Sequence, residues 1–193
     1  MESLTLTGKL RKEIGKKATK AVRNENAVPC VLYGGSENVH LQVLNSEIRK
    51  LIYTPNVYLV NLNIDGKVIT CILKAVQFHP VKDEVLHVDF FEVTPNKPVE
   101  IQIPVQLEGL AEGVKAGGKL SLEKRKLKVK GFYKDIPERL NINIDSLGLG
   151  KTIQVGQLSF DKLELMDAKN AVVCAVKLTR AARGAAAAAA EKK

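Results

Sequence analysis

Asp65-Gly66 is the dipeptide that most limits what this chain can become. It stands between two β-like runs, Val57 to Ile64 and Lys67 to Val76. A two-residue Asp-Gly loop is favoured where both positions take left-handed backbone, the geometry that joins twisted antiparallel strands. The clearest element of the sequence is therefore a hairpin.

Other segments follow the same period of two. Leu4, Leu6 and Leu10 alternate with polar residues, which predicts an opening strand ending at or near Gly8. Pro29 to Tyr33 reads as a strand entered through proline and closed by Gly34-Gly35, and Val39, Leu41 and Val43 as another. Asn45 is placed to cap a short helix through about Tyr53, with Glu47 in its first turn and Ile48, Leu51 and Ile52 inward. Val85 to Val93 follows the turn-forming His79-Pro80, with His87 and Asp89 on one face and Leu86, Val88 and Phe90 on the other. Two prolines in Thr94 to Pro98 mark a linker. Beyond it, Val99 to Leu107, Lys126 to Val129, Leu140 to Ile144 and Ala171 to Val176 are β-like runs separated by Gly-rich connections. The expected fold is mainly β with a few short helices. Residues 1–94 form a first domain, 95–180 an all-β second, and 181–193 an Ala-rich disordered tail.

The strongest departure from an ordinary β protein is a basic stretch. Lys9 to Arg23 holds seven Lys or Arg against one acid, Glu13, in a chain of net charge +9. Gly15 divides it. In a helix beyond Gly15, Lys16, Lys20 and Arg23 share one face, while Ala18, Ala21 and Val22 fall opposite, small enough to lie on a sheet. Lysines at a helix start oppose the macrodipole, but a bound phosphate would use both the ammonium groups and the free backbone N–H groups. A polyanion, above all structured RNA, is the expected partner, against the plainer alternative of a solvated helix face. No run approaches the ~20 apolar residues of a membrane span, and Met1 to Lys12 lacks an apolar signal core. A cytoplasmic protein with no membrane partner is expected.

Catalytic signals are weak by comparison. Cys30, Cys71 and Cys174 are far apart in apolar runs, which points to buried reduced thiols rather than disulfides or zinc. Gly113 to Leu120 and Asp145 to Thr152 each fail as phosphate loops: Leu120 replaces the magnesium-holding hydroxyl and Asp145 the first glycine. His87 and Asp89 are expected about 6.5–7 Å apart along a strand, too far for the hydrogen bond that orients a general base. With His79 they could still converge on a metal, although no spacing singles that out. A polar outer sheet face or a binding face accounts for them equally well. Tyr33 is a candidate to stack on a base or ribose, or is simply half-buried. The second basic cluster, Lys124 to Lys130, places Leu127 and Val129 opposite Lys126, Lys128 and Lys130. It reads first as a solvated sheet face, with RNA or a neighbouring protein as the alternative.

Several motifs occur together in order: Arg11-Lys12-Glu13-Ile14-Gly15-Lys16, Val28 to Gly34, His79-Pro80, and His87-Val88-Asp89-Phe90. Gly113 to Leu120, Asp135-Ile136-Pro137-Glu138 and Asp145-Ser146-Leu147-Gly148 continue the series. Over residues 4–178 this order resembles the bacterial large-subunit ribosomal protein that binds 5S rRNA, in its long two-domain form, also called the general stress protein Ctc. The resemblance implies a β-barrel-like N-terminal domain that grips the loop E region of 5S rRNA across a widened minor groove, without catalysis. It makes Arg11, Lys16 and Lys20 phosphate and groove contacts and puts Tyr33, His87 and Asp89 on the RNA-facing sheet. An acid facing RNA is costly unless it accepts from a base amino group or pairs with a basic side chain, so Asp89 is a candidate for specificity.

Lys17, Arg23 and Gln77 join the candidate RNA-binding residues by proximity to these motifs. Lys20 stands where the family often has arginine, and Ala21 where a second basic residue follows. Lysine lacks the guanidinium fork, so a bidentate contact at Lys20 is not expected. The expected function is a structural, non-enzymatic constituent of the large ribosomal subunit bound to 5S rRNA, with no cofactor, metal or small-molecule substrate. Neighbouring ribosomal proteins are the candidate partners of the second domain. Two other readings stay open: a metal- or acid–base-dependent hydrolase using His79, His87 and Asp89, and a stress-related protein-interaction module acting off the ribosome.

Overall fold

The computed structural model describes residues 2–180, so the tail expected at 181–193 lies outside the described residues. The chain divides into two units. One runs through Val99 and takes in Phe132–Glu138; the other takes in Glu100–Gly131 and continues from Arg139. No helix among the described residues is long and apolar enough to cross a membrane.

The first unit is a closed six-stranded barrel. Its strands are Glu2–Leu10 (β1), Ala27–Tyr33 (β2), Val39–Leu44 (β3), Tyr58–Ile64 (β4), Lys67–Phe78 (β5) and Val85–Glu92 (β6), in the order β1-β3-β2-β6-β5-β4. Two helices stand among them, Lys16–Asn24 (α1) after β1 and Asn45–Ile52 (α2) after β3. The predicted hairpin is β4–β5, and both Asp65 (φ 48°) and Gly66 (φ 90°) take the left-handed backbone a tight turn of this kind requires. Closure depends on β1, which pairs in parallel with β4 from Glu2 to Gly8 and antiparallel with β3 from Gly8 to Leu10. Gly8 belongs to both ladders, and a side chain there would press on Leu41 inside the barrel at 3.2 Å. The opening strand thus runs two residues past the predicted end, because the chain at Gly8 changes partner instead of stopping.

Inward positions fill the barrel with Leu6, Val28, Cys30, Leu32, Leu41, Val43, Val60, Leu62, Cys71, Val88 and Phe90, all at most 2% exposed. At α2 the sequence-based assignment needs correcting. Asn45 does not cap the helix with its side chain; it is the first helical residue, and its N–H donates to the Asn26 carbonyl at 3.0 Å. From the first turn of α2 the Glu47 carboxylate reaches out to accept the Thr7 N–H of β1 at 2.8 Å, just where β1 has no ladder partner in β3.

All three cysteines are buried free thiols, as expected. Burial pushes Cys30 above its ordinary range and Cys71 from 9.0 up to about 12. The folded barrel therefore keeps protons that the unfolded chain releases. Stability from these thiols is complete below about pH 9 and falls as pH rises towards about 12, by about 1.4 kcal/mol per pH unit for each thiol. Urea midpoints at about pH 8 and about pH 10 test this, and Cys71→Ala should reduce the difference by roughly half, leaving the Cys30 share.

The second unit is also β-rich. Its four-stranded sheet has the order β10-β7-β9-β12, from Leu140–Asn143 (β10), Val99–Glu108 (β7), Lys126–Gly131 (β9) and Glu164–Leu165 (β12). A three-stranded sheet joins Thr152–Gln154 (β11), Val172–Lys177 (β13) and Lys119–Leu122 (β8). Of these, β8, β11 and β12 have too few residues to show periodicity. The unit departs from all-β by a one-turn helix, Glu112–Lys115 (α3), and a short 3-10 turn, Val155–Gln157. In β9 the predicted alternation holds, with Leu127 and Val129 buried and Lys126 and Lys128 exposed. Lys124 is drawn aside, its ammonium 2.6 Å from the Asp167 carboxylate, which also accepts the Lys128 N–H at 2.8 Å. Burial alone would raise the Asp167 carboxyl; those hydrogen bonds and both lysine charges overcome it and hold the group below its usual range.

Candidate nucleic-acid interface

α1 starts at Gly15, whose φ of 121° and ψ of 179° suit glycine. No side chain caps it and no acid stands in its first turn, so its exposed N-terminus carries Lys16 and Lys17 with nothing to neutralise them there. Lys16, Lys17 and Lys20 are exposed. The inward face is Val22, buried, with Ala18 and Thr19 half-buried, and the helix packs on β2. This corrects the expectation for Ala21, which is exposed. Thr19 takes its place because its hydroxyl donates to the Gly15 and Lys16 carbonyls at 2.9 and 3.0 Å, leaving no unmet donor against the sheet. Arg23 also departs from the lysine face. Its Nε and Nη2 donate to the Leu86 carbonyl of β6 at 3.2 and 2.9 Å. Arg11, just past β1, donates its backbone N–H to the His40 carbonyl at 3.0 Å and its Nη2 to the Glu13 carbonyl at 3.3 Å.

The remaining candidates lie on the outward face of β2, β6 and β5. In the β5–β6 ladder Gln77 is opposite His87 and Ala75 opposite Asp89; in the β2–β6 ladder Val31 pairs with Asp89 and Tyr33 with Phe91. Register shifts bracket this patch, one between Leu73 and Ala75 and the other between Gln77 and Phe78, where the ladder passes from His87 to Val85. Bulges of this kind re-aim side chains, and here they set off the three-pair window that holds Gln77, His87 and Asp89. Gln77 is exposed, while Tyr33, His87 and Asp89 are half-buried. The Tyr33 ring meets Phe91 edge to face at 5.6 Å. Burial first, and then the Asp89 carboxylate, push the Tyr33 phenol above its ordinary range.

His87 and Asp89 overturn the distance expectation. Nδ1 of His87 lies 2.8 Å from Oδ1 of Asp89. Strand rise fixes the spacing of the backbone, but side chains lean along the strand and can close it. The contact is one of distance without hydrogen-bond alignment, since the buried Nδ1 has no hydrogen-bond partner. His79 does not join them as a ligand: its Nδ1 accepts the Val81 and Lys82 N–H groups, both at 3.2 Å, and so shapes its own turn. Among the described residues no group of three His, Cys, Asp or Glu is placed to hold a metal ion.

Sequence reasoning passed over His40 and Gln42. In the β2–β3 ladder His40 is opposite Val31 and Gln42 opposite Pro29, and Lys9 of β1 is opposite Gln42. His40, Val31, Asp89 and Ala75 thus form one row across four strands. The signal was present, since Val39, Leu41 and Val43 pointing one way leave His40 and Gln42 the other. The face therefore spreads from Gln77 on β5 across to Lys9 on β1, with the α1 lysines on the helix packed against β2.

Comparison with known proteins finds family matches on both halves of the chain. The model of the ribosomal L25p family matches residues 6–90, and that of the ribosomal protein TL5 C-terminal domain matches residues 98–180. A relative named large ribosomal subunit protein bL25 in Azobacteroides pseudotrichonymphae is 64% identical over 184 residues, 95% of this chain and 97% of its own. Its namesake in Bacteroides fragilis is 64% identical over 173 residues, 90% of this chain and 88% of its own. That of Porphyromonas gingivalis is 59% identical over 188 residues, 96% of this chain and 98% of its own. With both halves matched in order, and this identity sustained over nearly the whole length, the chain belongs to the ribosomal L25p family.

Proposed function

We propose that the barrel unit binds 5S rRNA in its loop E region, within a chain that serves as a structural constituent of the bacterial large ribosomal subunit. The large-subunit role rests on family membership and on relatives that carry that name, and it places the protein on ribosomes in the cytoplasm. The observation that carries the RNA reading is the combination of two unlike surfaces on one barrel. The exposed lysines of α1 supply charge at an uncapped helix N-terminus. The β2–β6–β5 face presents Tyr33, Asp89, His87 and Gln77 in a register bracketed by bulges. Phosphate contacts set affinity, and polar groups reaching base edges and 2′-hydroxyls set selectivity. Lys16, Lys17, Lys20 and Arg11 belong to the first set, and Tyr33, Gln77, His87 and Asp89 to the second.

Binding of the full chain to 5S rRNA and to an arbitrary duplex, each over a salt series, tests this. Undetectable binding, or equal affinity for both RNAs, sinks the reading. Two substitutions separate the surfaces. Lys16→Ala should weaken both RNAs alike and reduce the salt slope by roughly 1, as removal of one phosphate contact does. Asp89→Ala should leave the slope unchanged and reduce the preference for 5S rRNA by on the order of 1–3 kcal/mol. Co-sedimentation of the native protein with large subunits distinguishes this role from one performed off the ribosome.

A further inference from the structure

Arg23 sits at the C-terminal end of a helix otherwise armed with free lysines, yet its guanidinium is turned onto the protein. Two of its donors, Nε and Nη2, converge on one acceptor, the Leu86 carbonyl, at 3.2 and 2.9 Å. Leu86 is the residue that the register shift leaves out of the β5–β6 ladder, and it immediately precedes His87. The bond therefore ties the last turn of α1 to the point in β6 where the His87–Asp89 segment begins. A planar fork with fixed donor directions can hold one carbonyl this way, whereas an ammonium cannot reproduce the paired contact.

We propose that Arg23 is a positioning residue for RNA recognition. By locking α1 to the bulge at Leu86, it presents Lys16, Lys17 and Lys20 to the RNA in one fixed register with His87 and Asp89. The proposal rests on the RNA reading above. It replaces the expectation that Arg23 is one more phosphate contact. Affinity and selectivity then cease to be independent: an α1 free to shift still attracts phosphate, but no longer brings base edges onto Asp89 when it does. Three N–H groups of the guanidinium remain unused by the carbonyl, so the decision between the roles lies in a substitution that keeps charge and removes the fork.

Arg23→Lys in the full chain is that substitution. Affinities for 5S rRNA and for an arbitrary duplex are measured across a salt series, at a temperature where thermal melting shows the variant folded. A positioning role gives a loss of about tenfold in affinity for 5S rRNA, an unchanged affinity for the duplex and an unchanged salt slope. Hydrogen exchange should quicken at the α1 amides and at His87, but not in β1 or β4. Retention of the wild-type preference overturns the proposal, because charge alone then suffices. An equal loss for both RNAs overturns it too, because the role is then electrostatic or global. Should Arg23→Lys not fold, Arg23→Gln, which can place one amide donor on the same carbonyl, is read by the same ratio. A wild-type chain without preference for 5S rRNA overturns the RNA reading and this proposal together; failure of Arg23→Lys alone overturns only the proposal.

Discussion

Phe90→Ala should remove about 3–5 kcal/mol from the stability of the barrel unit, the usual range for truncating a buried aromatic. Phe90 is completely buried and is the largest fully enclosed side chain of the molecule's described part. It pairs with Leu32 in β2 and Leu73 in β5, so its ring fills the barrel at the join between the hairpin and the rest. The barrel leaves little room for collapse around the cavity, because every strand is held by two neighbours. A domain of this size has about 5–15 kcal/mol in total, so the loss is a large share of it. A urea titration followed by far-UV circular dichroism should show the midpoint falling with little change in the denaturant slope of that transition. A loss below about 1 kcal/mol is incompatible with the packing described. Asp89→Ala, one residue away on the outward face, should leave the same transition within about 0.5 kcal/mol of wild type. The pair of variants therefore separates stability from recognition at adjacent positions.

Gly113→Ala should destabilise the second unit by about 2 kcal/mol or more, although alanine is the better helix former. A Cβ at Gly113 would lie 2.7 Å from the carbonyl carbon of Gly148, 2.7 Å from the Leu149 nitrogen and 2.9 Å from the Gly148 oxygen. These are backbone atoms, so no rotamer change relieves the clash. The approach is also held in place: the Gly113 N–H donates to the Leu147 carbonyl at 2.9 Å, and its own carbonyl accepts the Gly118 N–H at 2.8 Å. A helix-propensity gain of about 1 kcal/mol is too small to offset overpacking against a fixed loop. Differential hydrogen exchange should show the loss at the amides of residue 113 and Gly118 and in the strands of the second unit. Unchanged protection there means that the two loops are free to separate.

The hairpin and the alternating strands were legible because their signals are local. Asp65-Gly66 encodes its own positive backbone angles, and β6 and β9 show which side is buried within five residues. Closure was not legible, because nothing in Glu2–Leu10 marks the switch at Gly8 from β4 to β3. The candidate site was readable as a list of residue types but not as an arrangement. The displacement at Leu86 comes from a ladder between strands, and it creates the carbonyl that captures Arg23. The expected separation of His87 and Asp89 failed because backbone rise was taken for side-chain distance. Ala21 failed because helical periodicity fixes which residues share a face, but a hydroxyl able to bond its own backbone competes for the inward position.

The way β1 closes the barrel also has a bearing on the order of events during synthesis. β1 emerges first, yet its parallel partner β4 ends at Ile64, and β2 must wait for β6, which ends at Glu92. At about 5–20 residues per second, several seconds separate the appearance of the lysine-bearing helix from the appearance of the strand that completes the face beside it. A nascent chain in that interval carries the positive charge without His87 or Asp89, and can be held by any RNA in reach. If the barrel binds RNA as proposed, discrimination among RNAs is a property the chain acquires only after about half of it has been made.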